Sequence, residues 1–454
     1  MNRIHFIAIG GSIMHNLAIA LRQKGETVTG SDDEIFDPAM TRLKQFGLLP
    51  HRMGWDPGRI TPEVDFVILG MHAKQDNPEL LKALELGLPV YSYPEFIYRH
   101  AASKNRVVIA GSHGKSTITA IIIHVLSHCN LSFDYLVGAG IKGIESMVKL
   151  SEESGSMILE GDEYYASAID KVPKFLLYRH NTGLLSGIAW DHINVFPTRK
   201  IYEEQFEKFA VSTPPSGNLI YNEEDAGIAN IIGKQKLSCT TIPYRTHPYE
   251  IFHGTYNLLS HGNKVPLLVF GKHNMQNISG AKAVLETLGI GEDRFMEHIG
   301  SFPGADKRLE ILAESGTLSI FRDFAHAPSK VKASVLAVKD REPGRKLAVF
   351  LELHTYSSLS IDFLSEYKGS LDAADIKYLY IDDHAIALKK LKPVGNDELH
   401  EKFNDPSIRI VRSPAQLIDN LKNLRMKNIN LLFMSSGNFG GVNLNQIFDL
   451  TNKL

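Results

Sequence analysis

Polar and apolar positions along this chain repeat one unit. A short apolar run is followed by a turn built on Gly, Ser or Asp, and then by a longer stretch with apolar residues every third or fourth place. That unit predicts a strand, a loop and an amphipathic helix, and its repetition predicts an α/β protein with mainly parallel sheets. Ile4–Ile9 is the first apolar run, and Gly10-Gly11-Ser12 breaks it. Ile13–Lys24 follows as a helix with Ile13, Leu17, Ala20 and Leu21 on one face and Gly25 as its cap. Thr27–Gly30 is a second strand ending in Ser31-Asp32. Val64–Leu69, leading into Gly70-Met71-His72-Ala73, and Leu88–Tyr91 are two more. Asn77-Pro78-Glu79 and Tyr93-Pro94-Glu95 open helices, and the second runs out near Lys104, where the polar stretch Ala101–Arg106 marks a domain boundary.

The next block opens with the apolar strand Val107–Ala110, the turn Gly111-Ser112-His113-Gly114-Lys115-Ser116-Thr117, and an apolar helical run, Ile118–Val125. Strands are predicted at Tyr135–Gly138, Ser156–Glu160, Thr182–Ile188, Gly217–Tyr221 and Leu237–Tyr244. Helices are predicted at Ile201–Phe209 and Ile278–Leu288, with a hairpin region at 246–266. A further segment begins at Ser301-Phe302-Pro303-Gly304, with strands at Leu318–Arg322, Leu347–Leu353, Ile376–Ile381, Ile408–Val411 and Ile429–Met434. The expected organisation is three domains, 1–104, 105–302 and 303–454: an N-terminal Rossmann-like domain, a central P-loop ATPase-type domain and a C-terminal Rossmann-like domain.

At 454 residues the chain exceeds a single core, which fits several domains. Its 43% hydrophobic and 22% charged content is that of a soluble globular protein. A net charge of −2, from 49 basic and 51 acidic residues, gives no electrostatic case for nucleic acid or an anionic membrane. No apolar run reaches the roughly 18 residues of a membrane span, and the opening MNRIHFIAIGG reads as a strand rather than a signal peptide. Two cysteines, Cys129 and Cys239, make neither a disulfide framework nor a four-thiolate zinc site and suggest a reducing, cytoplasmic setting.

Strand, Gly-rich turn with Lys-Ser, helix is the layout of a phosphate-binding loop. Backbone N–H groups curl round a polyphosphate, Lys115 neutralises the β/γ-phosphates and the Ser116 hydroxyl ligates Mg²⁺. The spacing is G-x-x-G-K-S, because the first glycine of the commoner pattern would fall at Ile109. The alternative is an ordinary strand–helix turn. Glu160, at the end of a strand one step further on, stands where a Mg²⁺–ATP site wants its second ligand, with Asp162 and Glu163 supporting. Asp191-His192 follows another buried strand and is a candidate site pair. Asn274 and Asn277 either hydrogen-bond an adenine edge or cap a helix. In the first block, Asp32 suits the ribose of a dinucleotide, but Ala8 replaces the first glycine of G-x-G-x-x-G, and Asp32 equally suits a plain turn. A nicotinamide-dependent oxidoreductase would use Asp32 and leave the Lys115 loop unexplained. A regulatory P-loop ATPase would hydrolyse ATP with no second substrate.

Taken together these residues resemble the Mur ligase family. HFIAIGGSIM…VTGSD is similar to its UDP-sugar domain and AGSHGKSTIT to its ATP loop, and EGDEYYAS, WDH, GKHNMQN, KRLEIL and DFAHAP fall in the family's order. The resemblance implies a ligase that activates a UDP-N-acetylmuramate carboxylate with ATP and Mg²⁺ and joins it to an amine. It implies ATP on Gly111–Thr117, Asn274, Asn277, Arg308 and Asp323. UDP would lie on Gly11, Ser12, Ser31, Asp32 and His72, and the amino component on His326 and His354. Metal would lie on Ser116, Glu160 and His192, with Lys115, Glu160 and His192 as the catalytic set. Glu163-Tyr164-Tyr165, Asp170–Phe175 and Tyr178-Arg179 are more similar to the branch that attaches L-alanyl-γ-D-glutamyl-meso-diaminopimelate than to the branch that attaches L-alanine. Departures from the family pattern are Ser116 for Thr, Gly187 for Asn, Ala327 for a second His and His354 for Arg, and Glu204-Gln205-Phe206-Glu207 offers no lysine in the register where several relatives carry a carbamylated one. Monomer and homodimer remain equally open.

Overall fold

The computed structural model describes residues 1–447 apart from 168, 425–426 and 445–446. Four sheets carry the fold. The first has β1 (Arg3–Ile7), β2 (Thr27–Ser31), β3 (Phe66–Leu69) and β4 (Val90–Ser92), all parallel, in the order β2-β1-β3-β4. The second has β5 (Asn105–Ala110), β6 (Asp134–Leu136), β7 (Val148–Lys149), β8 (Ser156–Glu160), β9 (Thr182–Leu185), β10 (Asn218–Asn222) and β11 (Thr240–Tyr244). Their order is β11-β10-β9-β5-β8-β6-β7, with only β7 antiparallel. An antiparallel ribbon follows, β12 (Tyr249–Phe252), β13 (Thr255–Ser260) and β14 (Asn263–Pro266). The last sheet has β15 (Glu310–Glu314), β16 (Leu318–Asp323), β17 (Lys346–Leu353), β18 (Ile376–Ile381), β19 (Arg409–Val411) and β20 (Ile429–Met434). Its order is β15-β16-β20-β17-β18-β19, parallel except at β15. The α/β reading of the sequence therefore holds.

Strands covered on both faces read as unbroken apolar runs, because neither face meets water. All six residues of β20 are buried, as are seven of the eight in β17. In each parallel sheet the chain leaves neighbouring strands in opposite directions somewhere, and at those points the exits of β1 and β3, of β5 and β9, and of β16, β20 and β17 lie side by side. Such crevices at the C-terminal ends of strands are where α/β sheets bind ligands.

Several boundaries differ from the pattern, each for a local reason. The helix expected to reach Lys104 is Tyr93–His100, after which residues 101–104 turn. The helix expected from Ile278 starts at Lys272, because Gly271, at φ +94°, ends the preceding turn and the polar Lys-His-Asn first coil has no apolar signature. The region 246–266 holds three strands rather than one hairpin. The partly exposed edge strand β15 has an apolar run of only three residues, Ile311–Ala313, and the pattern does not predict it. Ala8 adopts φ +66°, the left-handed backbone for which the usual first glycine is selected, at a cost of roughly 1–2 kcal/mol.

The chain divides into two compact units. One comprises residues 1–188, 204–245 and 280–298, and the other 189–203, 246–279 and 299–454. Both therefore draw on the central segment. Among the described residues no helix is long and apolar enough to cross a membrane.

Candidate active site

In the first unit the turn after β5 is shaped by its neighbour β9. Ser112 N–H donates to Gly187 O at 2.7 Å, Ser186 N–H donates to Ala110 O at 3.0 Å, and the Ser186 hydroxyl donates to His113 O. A Cβ on Gly111 would overlap the Ser186 hydroxyl, and one on Gly187 would overlap the His113 imidazole. Gly187, which departs from the family pattern, is thus the position that leaves room for His113. Gly114, at φ +78°, is the N-cap of the helix Lys115–His128, and no side chain caps that end. The helix dipole at that end favours an anion. Ser112 also has a buried hydroxyl without a hydrogen-bond partner.

Four charged or hydroxyl groups converge at this helix start. Lys115 Nζ donates to Gly111 O and to Glu163 Oε2, each at 2.6 Å. Glu163 is fully buried, and Asp162 beside it accepts from Lys174 Nζ at 2.6 Å. Burial works against the Lys115 charge, but Glu163 and Asp162 outweigh it and hold its pKa above the ordinary lysine value. The Ser116 hydroxyl donates to Glu160 Oε1 at 2.8 Å, and Gly138 N–H donates to Glu160 Oε2 at 2.6 Å. A hydroxyl and a carboxylate side by side at a helix N-terminus are hard oxygen donors that suit Mg²⁺. They fit that ion with the remaining ligands coming from phosphate and water, because among the described residues no three His, Cys, Asp or Glu form a metal cluster.

At the N-terminal sheet, Gly10 N–H donates to Asp32 Oδ2 at 2.7 Å, and Gly11 is the N-cap of the helix Ser12–Gln23. Burial pushes the Asp32 carboxyl up to about 6, against the Gly10 hydrogen bond. His72 is exposed at the exit of β3, next to the exit of β1. Ser31 differs from its expected role. Its side chain is fully buried and its hydroxyl donates to Glu79, which also faces His5 at 3.3 Å. Its carbonyl accepts from Ile9 N–H at 3.0 Å, so Ser31 is spent within the protein.

The second unit holds the remaining candidates. Asn274 and Asn277 lie within the first turns of the helix Lys272–Thr287 rather than at its cap. Asn274 donates to Phe270 O at 2.8 Å, and Asn277 donates to Asn274 Oδ1 at 3.2 Å. Asp323 ends β16 and accepts from Ser334, and the Arg308 guanidinium sits 4.8 Å from the centre of the Phe324 ring. His326 is held by Phe324 O at 2.8 Å and by the Tyr367 hydroxyl on its own carbonyl. Burial, with the Lys330 cation adding, drives its pKa down to about 3, so the ring is neutral. His354 is partly exposed, 3.7 Å from Glu352 Oε1. Glu352 is buried and accepts from the Ser435 hydroxyl and from Phe439 N–H, the latter at 2.8 Å, and so ties down the loop after β20.

Asp191 and His192 form a tight corner in this unit. His192 takes φ +61°, and its N–H donates to Asp191 Oδ1 at 2.7 Å. Lys330 Nζ lies 3.6 Å from Asp191 Oδ2 and His192 Nε2 lies 3.9 Å from it. That oxygen is buried and makes no hydrogen bond. This donor set does not fit a second Mg²⁺, because an ammonium already faces the only carboxylate and the other donor is an imidazole nitrogen. The structure brings Lys115, Ser116 and Glu160 together, and it places His192 in the other unit beside Lys330. Lys330 and Glu352 had no role in the sequence reading, since a lysine on an amphipathic helix and a glutamate closing a strand are both ordinary.

Residues 3–105 match the Mur ligase family, catalytic domain, and residues 109–285 match the Mur ligase middle domain. The chain is 29% identical to the UDP-N-acetylmuramate–L-alanine ligase of Caldicellulosiruptor bescii over 425 residues, 90% of each chain. It is 27% identical to the UDP-N-acetylmuramate–L-alanyl-γ-D-glutamyl-meso-2,6-diaminoheptandioate ligase of Escherichia coli over 465 residues, 99% of each. Among solved structures, a murein peptide ligase from Psychrobacter arcticus superposes with a TM-score of 0.67 at 21% identity, covering 100% of this chain and 99% of that one. The UDP-N-acetylmuramate–alanine ligase of Thermotoga maritima gives a TM-score of 0.72 at 19% identity, with the same coverage.

Proposed function

The chain belongs to the Mur ligase family, whose members are ATP-dependent amide ligases of peptidoglycan synthesis, and from that premise we propose that it joins the carboxylate of UDP-N-acetylmuramate to the amine of L-alanyl-γ-D-glutamyl-meso-diaminopimelate, in the cytoplasm. The observation that carries the reaction type is the Lys115–Ser116–Glu160 cluster at an uncapped helix start. The tripeptide is supported by the match along 99% of both chains with a ligase named for it. Attachment of L-alanine alone is the second reading, favoured by the slightly higher identity to ligases named for that substrate.

The muramoyl carboxylate attacks the ATP γ-phosphorus, ADP leaves, and an acyl phosphate forms. The amine attacks the acyl carbon, and phosphate leaves. Both steps gather negative charge near the γ-phosphate, so positioned cations and N–H donors do most of the work. The backbone of Gly111–Thr117 holds the polyphosphate, and Lys115 exchanges Glu163 for phosphate oxygens. Ser116 and Glu160 would hold Mg²⁺, which when bound would supply positive charge to the polyphosphate. Asn274, Asn277, Arg308 and Asp323 take the nucleoside. Gly11, Ser12, Asp32 and His72 take UDP, with residues 1–104, 105–302 and 303–454 as the three functional segments. His326 and His354 face the amino component. The neutral His326 ring, with Nδ1–H donating to Phe324 O, offers it Nε2 as an acceptor rather than a charge.

An ATP-dependent phosphate-release assay with UDP-N-acetylmuramate tests this, comparing the tripeptide with L-alanine. Release with the tripeptide and much less with L-alanine is expected. Release with L-alanine alone selects the second reading, and release with neither removes both.

A further inference from the structure

Asp191 Oδ2 is a buried carboxylate oxygen with no hydrogen bond and two nitrogens just beyond reach. A buried carboxylate needs a positive charge close by. Lys330 is that charge, and its own position shows it is not a bystander. It lies in the first turn of the helix Pro328–Arg341, where the dipole disfavours a cation, and that turn has no acidic residue and no side-chain cap. A lysine there is compensated by Asp191 from a different part of the chain. A divalent ion added at the same carboxylate would meet the ammonium across a short gap, with Asp191 already neutralised and, among the described residues, no acidic cluster to balance it.

Building on the ligase reading above, we infer that Lys330 is the resident cation of the Asp191–His192 corner, a positioning residue that supplies there the charge a second metal ion would bring. The protein then carries one divalent cation per chain with its nucleotide, at Ser116 and Glu160.

Mn²⁺ binding followed by electron paramagnetic resonance tests this on the full chain saturated with a non-hydrolysable ATP analogue. Wild type should bind one Mn²⁺ per chain, and Glu160→Gln should lose it. Lys330→Met should bind two, because Asp191 and His192 become free to take the second, whereas Lys330→Arg should remain at one. Two Mn²⁺ in wild type, or one in a folded Lys330→Met, overturns the inference. If Lys330→Met does not fold, the wild-type and Lys330→Arg counts still decide it, one supporting and two overturning. Two Mn²⁺ together with substrate-dependent phosphate release removes the inference and leaves the ligase reading. One Mn²⁺ without phosphate release removes the ligase reading instead.

Discussion

The phosphate loop and the Asp191 corner hold similar groups in opposite states. At the loop every charge meets its counterpart at hydrogen-bond distance: Lys115 on Glu163 and Lys174 on Asp162 at 2.6 Å, and Ser116 on Glu160 at 2.8 Å. At the corner the nearest nitrogens stand 3.6 and 3.9 Å from an oxygen with no hydrogen bond. Side-chain charges paired in this way can meet a ligand only by exchange, so each one offered to a phosphate gives up a contact inside the protein. Much of that interaction energy goes into selecting the ligand rather than into affinity. The corner has spare capacity on the carboxylate side, and a new donor there adds a bond without breaking one.

The sharpest way to break this contrast is Lys115→Ala. On the proposed reading Lys115 moves from a carboxylate to phosphate, and turnover should fall by about 10³-fold without it. A rate within tenfold of wild type in a phosphate-release assay would place the charge elsewhere. Glu160→Gln can keep the hydrogen bond from Ser116 but turns an NH₂ toward Gly138 N–H and weakens the oxygen donor for a metal. Half-saturation should need about 10–100-fold more Mg²⁺ with little change in fold, read from a Mg²⁺ titration of the rate. An unchanged Mg²⁺ requirement would separate Glu160 from metal binding. Gly187→Ala tests the steric side of the paired region. The new methyl meets the His113 ring, so urea unfolding should show a loss of about 1–3 kcal/mol together with weaker nucleotide binding. A stable variant with normal affinity would mean that the two loops separate freely.

The effect smallest at neutral pH belongs to a control outside both sites. His180 is buried, stacked on Phe209 and bonded to Thr213 at 2.8 Å, and burial with the Arg106 charge depresses its pKa to about 3. Between about 6.5 and 3 the unfolded chain holds a proton that the folded chain does not. Stability should therefore fall with acid across that window, by at most about 1.4 kcal/mol per pH unit. His180→Gln should flatten the dependence of urea midpoints on pH. An identical slope in the variant would assign the acid sensitivity to other groups.

What the sequence disclosed follows from range. The apolar runs at Val107–Ala110, Leu347–Leu353 and Ile429–Met434 announce buried parallel strands because both faces must be covered. The loop 111–117 suggests a ligand class from sequence alone because its expected donors are consecutive in the chain. Glu163 stands 48 residues from Lys115, and Lys330 lies farther still from Asp191, on a helix whose polar face ordinarily carries lysine. No periodicity encodes such pairs, since they arise only when sheet order brings distant strand exits together. Ser31 failed in the opposite way, because a serine at a strand end looks ligand-facing until Glu79 is seen beneath it.

The clamp between the loop and the exit of β9 has an engineering consequence. The heptapeptide Gly111–Thr117 owes its shape to Ser186 and Gly187, more than 70 residues downstream. Transplanting the heptapeptide into another α/β scaffold would move the letters and leave the mould behind. The portable module is the loop plus the first two residues after the adjoining strand, and mutational libraries that vary one segment alone will sample mostly mismatched halves.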